Sequence, residues 1–163
     1  MQGINYKGTQ NLISYCMNKV RMLQVNGVKC ILVFDGAQLP MKSRVEKDRK
    51  KMRQESQTKA IQLWNQGNLV QANKKFMESI EIDDQMVHDF IQELKHTRIE
   101  YIVSPYESDA QLAFLFMKNK ISVVITEDSD LLVYGVTKVL FKMDPSGNGT
   151  EINMSELKNC PDY

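Results

Sequence analysis

The chain has little from which to build a metal centre of sulfur or imidazole: three cysteines, Cys16, Cys30 and Cys160, and two histidines, His88 and His96, in 163 residues. The cysteines are odd in number, widely spaced and form no CxxC pair, which argues against a disulfide framework or a structural zinc site and for a reduced, intracellular chain. Glycine and proline are scarce, at 8 and 4 residues, so collagen-like and proline-rich linker classes are excluded. No apolar run approaches the ~18–20 residues of a membrane-spanning helix. The opening Met-Gln-Gly-Ile-Asn-Tyr-Lys-Gly lacks an apolar signal segment. Neither a membrane partner nor secretion is therefore expected. There is no GxxxxGK[ST] phosphate loop, no GxGxxG, no HExxH and no GxSxG, and nothing local supports a Cys–His nucleophile pair.

What is present suits one ordinary domain: 42% hydrophobic and 25% charged residues, enough apolar material for a core and too much for intrinsic disorder. Net charge is +1, so only local charge informs about partners. Trp64 and the ten methionines read as packing material.

Apolar residues three and four apart, Leu12, Ile13, Cys16, Met17, Val20 and Leu23, predict an amphipathic helix over 10–25, ended by Asn26-Gly27. Cys30–Phe34 is a continuous apolar run, the pattern of a strand buried on both faces in a parallel sheet. Helices are predicted over 42–59, over 58–80 with a break at Gly67-Asn68, over 82–97 with Asp83 or Asp84 near its start, and from about Tyr106. Further strands are predicted at Ile99–Val103, Ser122–Thr126 and Lys138–Lys142, the last closed by the turn Pro145–Gly149. Alternating strands and helices imply an α/β fold, a mainly parallel central sheet with helices on both faces. In such sheets the ligand site lies outside the carboxyl ends of the strands.

Three predicted strands end in acid. The first ends in Asp35, the second is followed by Glu107 and Asp109, and the third runs into Thr126-Glu127-Asp128-Ser129-Asp130. Parallel strands would gather these carboxylates in one crevice, where they repel unless a cation compensates. An all-oxygen donor set favours Mg²⁺ or Mn²⁺ over zinc or copper. Five carboxylates exceed what one Mg²⁺ uses and suit two ions about 3.5–4 Å apart, the arrangement used in phosphodiester hydrolysis. Singly, each acid also fits a helix cap, a turn or a favourable charge at a helix N-terminus. Glu127, between Thr126 and Asp128, is expected to point away from them if the backbone is extended.

Residues 42–59 carry eight bases, among them Lys42, Arg49 and Arg53, against Glu46, Asp48 and Glu55. Lys42 and Arg49 are two helical turns apart on one face, which Arg53 continues. A basic face suits a polyanion bound by counterion release. Taken alone, the run is read first as a solvated helix with Glu46–Lys50 pairing, and only after that as a nuclear localisation signal.

The strings VFDGAQLPMKSRVEKDRKKMR (33–53), SPYESDAQLAFL (104–115), ITEDSDLLVYG (125–135) and KVLFKMDPSGNG (138–149) resemble the 5′ nucleases of the flap endonuclease/XPG-type superfamily. Leu39-Pro40-x-Lys42 and Tyr106-Glu-x-Asp-Ala-Gln111 favour its exonuclease branch. The resemblance runs from about residue 8 to 155 and implies a PIN-like 5′ nuclease core. The implied activity is a metal-dependent 5′→3′ double-stranded DNA exonuclease with 5′ flap endonuclease activity, nuclear and acting in mismatch repair and end resection. It implies Asp35, Glu107, Asp109, Asp128 and Asp130 as ligands of two Mg²⁺ ions, with Mn²⁺ able to substitute. Lys42 and Arg49 would engage the scissile phosphate, Arg53 would bind DNA, and residues about 42–85 would form a helical arch. DNA with 5′ ends or flaps, and mismatch-repair proteins, are the implied partners. Family members begin with Met-Gly-Ile and a first strand carrying another metal-site Asp. They continue to a Gly-Cys-Asp-Tyr-like string and a helix–two-turn–helix element. None of these is in this sequence, so 1–163 is expected to be a single partial core domain: a fragment, an incomplete gene model or a degenerate paralogue. Such a sheet would leave flanking strands short of partners. The competing readings are a non-catalytic remnant that binds DNA or protein, and a related nuclease that cleaves RNA.

Overall fold

The computed structural model describes residues 2–157, and Cys160 lies outside them. The chain divides into two compact units, one made of residues up to Ala37 and from Phe90 onward, the other Gln38–Asp89.

The first unit holds all five strands found among the described residues. Helix α1, Gln2–Val25, leads to β1, Ile31–Phe34, which pairs in parallel with β2, Glu100–Val103, Phe34 lying opposite Val103. Helix α5, Ser108–Met117, leads to β3, Val124–Thr126, and the short helix α6, Asp130–Val133, leads to β4, Lys138–Phe141. Strands β3 and β4 are parallel, and β5, Thr150–Asn153, closes antiparallel on β4 before the single turn α7, Met154–Leu157.

The α/β class and the parallel pairings match the periodicity. One central sheet does not: the strands form two sheets, β1–β2 and β3–β4–β5. The core divides with them. Ile13, Met17 and Val20 of α1 pack with Leu94 and Ile99 over β1–β2. Ala113, Val124, Leu131, Val136, Val139 and Phe141 pack around the second sheet. Each sheet thus has its own apolar cover. The expectation that β1 is buried on both faces is corrected: all four of its residues are half-buried, because one of its edges has no strand beside it among the described residues.

The second unit is helical. A 3₁₀ turn, Pro40–Lys42, runs into α2, Ser43–Asn65, and α3, Leu69–Glu78, folds back on it. The expected boundary near residue 58 does not exist, since no helix-breaking residue stands there. The break falls at Gly67, whose φ of +79° is left-handed, a conformation that costs glycine little. Asn68 then caps α3, its side chain accepting from the Gln71 N–H at 3.3 Å. Ala60 and Ala72 are fully buried, and Trp64 meets Phe76 edge-to-face at 6.4 Å. Most of the rest of α2 stays exposed, as its charge predicts, with Glu46, Arg53, Ser56 and Leu63 half-buried. Helix α4, Asp84–Thr97, is capped by the Asp83 carboxylate, which accepts from the Met86 N–H at 2.8 Å.

Candidate metal centre

Asp35 follows β1 directly. Its carboxylate accepts a hydrogen bond from the Ser108 N–H, the first residue of α5, at 2.7 Å. The approach is set by main chain: the Gly36 N–H donates to the Tyr106 carbonyl at 2.6 Å and the Ala37 N–H to that of Pro105 at 3.0 Å. A Cβ on Gly36 would lie 1.8 Å from the Ser104 carbonyl oxygen, so only glycine fits. Glu107 sits before α5 in extended conformation, φ −79° and ψ 139°, which starts that helix two residues later than Tyr106. Asp109, in the first turn, is half-buried.

Asp128 and Asp130 come from the turn after β3. The Asp128 N–H donates to the Thr126 hydroxyl at 3.1 Å, and the Asp128 carboxylate accepts from the Asp130 N–H at 3.0 Å. Ligand atoms of Asp109, Asp128 and Asp130 lie within 4.8 Å of one another. The Asp109 carboxyl is pushed above the ordinary Asp range, first by burial and then by the negative charges of Asp128, Asp35, Asp130 and Glu107. Acids that follow β1 and β3 therefore act on Asp109, which follows β2, while Asp35 and Glu107 lie outside the three-carboxylate group. Glu127 is not in the three-carboxylate group. This donor set fits a hard divalent cation, since all donors are oxygens and the acids repel when left uncompensated.

Beside the cluster, a cavity of about 610 Å³ is lined by Glu127, Asp128, Ser129, Phe141 and Lys142, among others. Lys142 was not singled out in the sequence. Its φ of 51°, left-handed in a non-glycine residue, is visible only in the fold. Ser108 was also missed, because it contributes only a backbone N–H. In the second unit, Arg49 pairs with Glu46 at 3.0 Å and Arg53 with Glu81 at 2.9 Å. Lys51 stands 4.0 Å from Glu55. Lys42 ends the 3₁₀ turn. The cysteines Cys16 and Cys30 are free thiols.

An α/β unit with clustered carboxylates beyond its strand ends is an arrangement that cation-dependent phosphate-handling proteins use. The XPG N-terminal domain pattern matches residues 1–56 and the XPG I-region residues 98–161, well over half the chain together, and the chain belongs to the XPG family. It is 47% identical over 152 residues to Exonuclease 1 of Danio rerio, covering 93% of this chain and 19% of that protein. It is 42% identical over 156 residues to Exodeoxyribonuclease 1 of Schizosaccharomyces pombe, covering 96% and 27%. The catalytic core of Rad2 in complex with DNA substrate superposes with a TM-score of 0.61 at 26% identity, over 88% of this chain and 39% of that one. The chain thus spans about a fifth to just over a quarter of the length of the two exonuclease relatives.

Proposed function

We propose that the chain is part of a metal-dependent 5′→3′ DNA exonuclease with 5′ flap endonuclease activity. The observation that carries this reading is the approach of Asp109, Asp128 and Asp130 to within 4.8 Å of one another, with Asp35 and Glu107 also acting on Asp109, in a chain with Exonuclease 1 relatives. Asp109, Asp128 and Asp130 hold a divalent cation, Mg²⁺ with Mn²⁺ as substitute, and Asp35 and Glu107 complete the ligand set for a second. When bound, the cations supply Lewis acidity and an activated water for phosphodiester hydrolysis.

The protein's own groups do the rest. The Ser108 N–H fixes the Asp35 carboxylate. The Thr126 hydroxyl and the Asp130 N–H fix the turn that carries Asp128. Lys42, Arg49 and Arg53 bind substrate phosphates, with Arg49 and Arg53 exchanging Glu46 and Glu81 for phosphate oxygens. Residues 42–85 form the arch around single-stranded 5′ ends. The setting is nuclear DNA repair, with mismatch-repair proteins as partners.

The experiment measures cleavage of 5′-labelled DNA duplexes and flaps with Mg²⁺ and with EDTA, for wild type, Asp109→Asn and Asp128→Asn. Matched RNA flaps run in parallel. Metal-dependent cutting of DNA, lost in both variants, supports the reading. Cutting that persists in EDTA, or that prefers RNA, sinks it. Absence of cation binding at millimolar Mn²⁺ assigns the chain to the binding-only remnant.

A further inference from the structure

Two arginines on the basic face of α2 are each held by a carboxylate, and the two holds differ in kind. Arg49 meets Glu46, earlier on the same helix, at 3.0 Å, so that pair moves with α2 as one body. The Arg53 guanidinium donates to the Glu81 carboxylate at 2.9 Å, across 28 residues of sequence. Glu81 stands in the segment between α3 and α4. The second pair therefore ties α2 to the chain that leads into α4.

The helical hairpin sets this contact. Helix α3 folds back on α2 after the left-handed Gly67, and the buried Ala60 and Ala72 let the two helices approach. Ser56 and Glu78, equally far from Gly67 along the chain, share a hydrogen bond. Arg53 and Glu81 are again equally far from Gly67, about one helical turn further along α2. The segment that carries Glu81 is fixed on both sides. The Ser79 hydroxyl donates to the Phe76 carbonyl at 2.8 Å, and the Asp83 carboxylate caps α4. Little further order is therefore lost in making the pair. The Arg53 side chain is 31% exposed, against 63% for Arg49.

We propose that Glu81 is a latch on Arg53: it competes with substrate phosphate for the guanidinium, and an incoming strand releases it. An ion pair at a surface is weak and readily exchanged, whereas a guanidinium grips a phosphate through two parallel N–H···O bonds. Glu81 thus lowers the affinity of the basic face for a polyanion, and occupancy of that face unties the segment before α4. The two effects are reciprocal, each opposing the other by the same factor. The latch rests on the reading of Arg53 as a phosphate contact and adds to it a residue that regulates the contact.

The test uses the whole chain and a 5′-phosphorylated single-stranded thymidine oligonucleotide in EDTA, so that nothing is cut. Affinity is read by fluorescence anisotropy for wild type, Glu81→Gln, Arg53→Gln and the double variant, with melting curves to show that each is folded. Glu81→Gln is expected to bind about two- to fivefold more tightly, the worth of one surface pair. The same change made on the Arg53→Gln background should gain less than half of that. In wild type, the ¹³C resonance of the Glu81 carboxyl should move, on adding the oligonucleotide, to its position in Arg53→Gln. An equal gain in both backgrounds marks a general loss of negative charge and overturns the latch, as does a Glu81 resonance that stays in place while DNA binds. If Arg53→Gln weakens binding and Glu81→Gln changes nothing, the latch falls and the phosphate contact stands. If no variant binds DNA, both fall together.

Discussion

The Asp35 carboxylate accepts the backbone N–H of Ser108 across 73 residues of sequence, at 2.7 Å. One side chain thereby joins the end of β1 to the first turn of α5, and its charge is one of those acting on Asp109. The two roles separate by substitution. Asp35→Asn keeps an acceptor for Ser108 and is expected to leave the melting temperature within about 2 °C while weakening Mn²⁺ binding at least tenfold by calorimetry. Asp35→Ala loses both, with a further stability loss of about 1 kcal/mol, roughly 2–4 °C.

Asp109 is harder to ionise in the folded protein than in the unfolded chain, because it is partly buried and faces four other acids. Its raised value carries a definite sign. Below the ordinary Asp range the group is protonated in both states and costs nothing. As pH rises through and above that range it ionises into repulsion, and folding stability falls. In EDTA, Asp109→Asn should remove this loss and melt roughly 1–3 °C above wild type at pH 7, a small effect because solvent screens the site. With Mn²⁺ the order should reverse. Melting curves from pH 4 to 7 with and without metal check both.

Gly36 and Gly67 make opposite predictions for one substitution. At Gly36 a methyl group meets the Ser104 carbonyl oxygen at 1.8 Å, so Gly36→Ala must move β2 or the loop and should cost more than about 3 kcal/mol. At Gly67 nothing lies within 4 Å, and only the left-handed backbone is strained, about 1–2 kcal/mol. Urea denaturation of both variants should show the larger loss at Gly36.

The Ser104 hydroxyl is buried without a hydrogen-bond partner. Replacing it with a methyl removes an unpaid desolvation, so Ser104→Ala should raise stability by up to about 1 kcal/mol, measured by the same denaturation.

Arg49→Ala should weaken DNA binding and reduce the magnitude of the log K against log[salt] slope by about 0.7–0.9, one phosphate contact. A loss of affinity with an unchanged slope would mean that Arg49 acts through Glu46 on helix α2 rather than on phosphate.

Much of this was legible in the residues. The alternation of apolar runs with helical spacing marks the strands and helices of the first unit, and acids after three runs mark the cluster, because strand direction alone brings such ends together. Strand β5 was not legible: Thr150–Asn153 is short and mostly polar, and it exists because β4 offers an edge after the Pro145–Gly149 turn. Nor was the division into two sheets, which depends on what stands beside β1 and β3 and not on their own composition. The full length of α2, Ser43–Asn65, was not legible either: its charge thins near residue 58, but charge leaves helix propensity intact and no breaker stands there.

The Gly36 crossing has one more consequence. The segment that aims Asp35 is tethered through peptide groups to Pro105 and Tyr106, and every amino acid carries the atoms that such tethers need on the accepting side. The side chains along this rim, such as the half-exposed Tyr106, can therefore be exchanged without re-aiming the carboxylate. The rim can change its chemistry while the position of that carboxylate is kept.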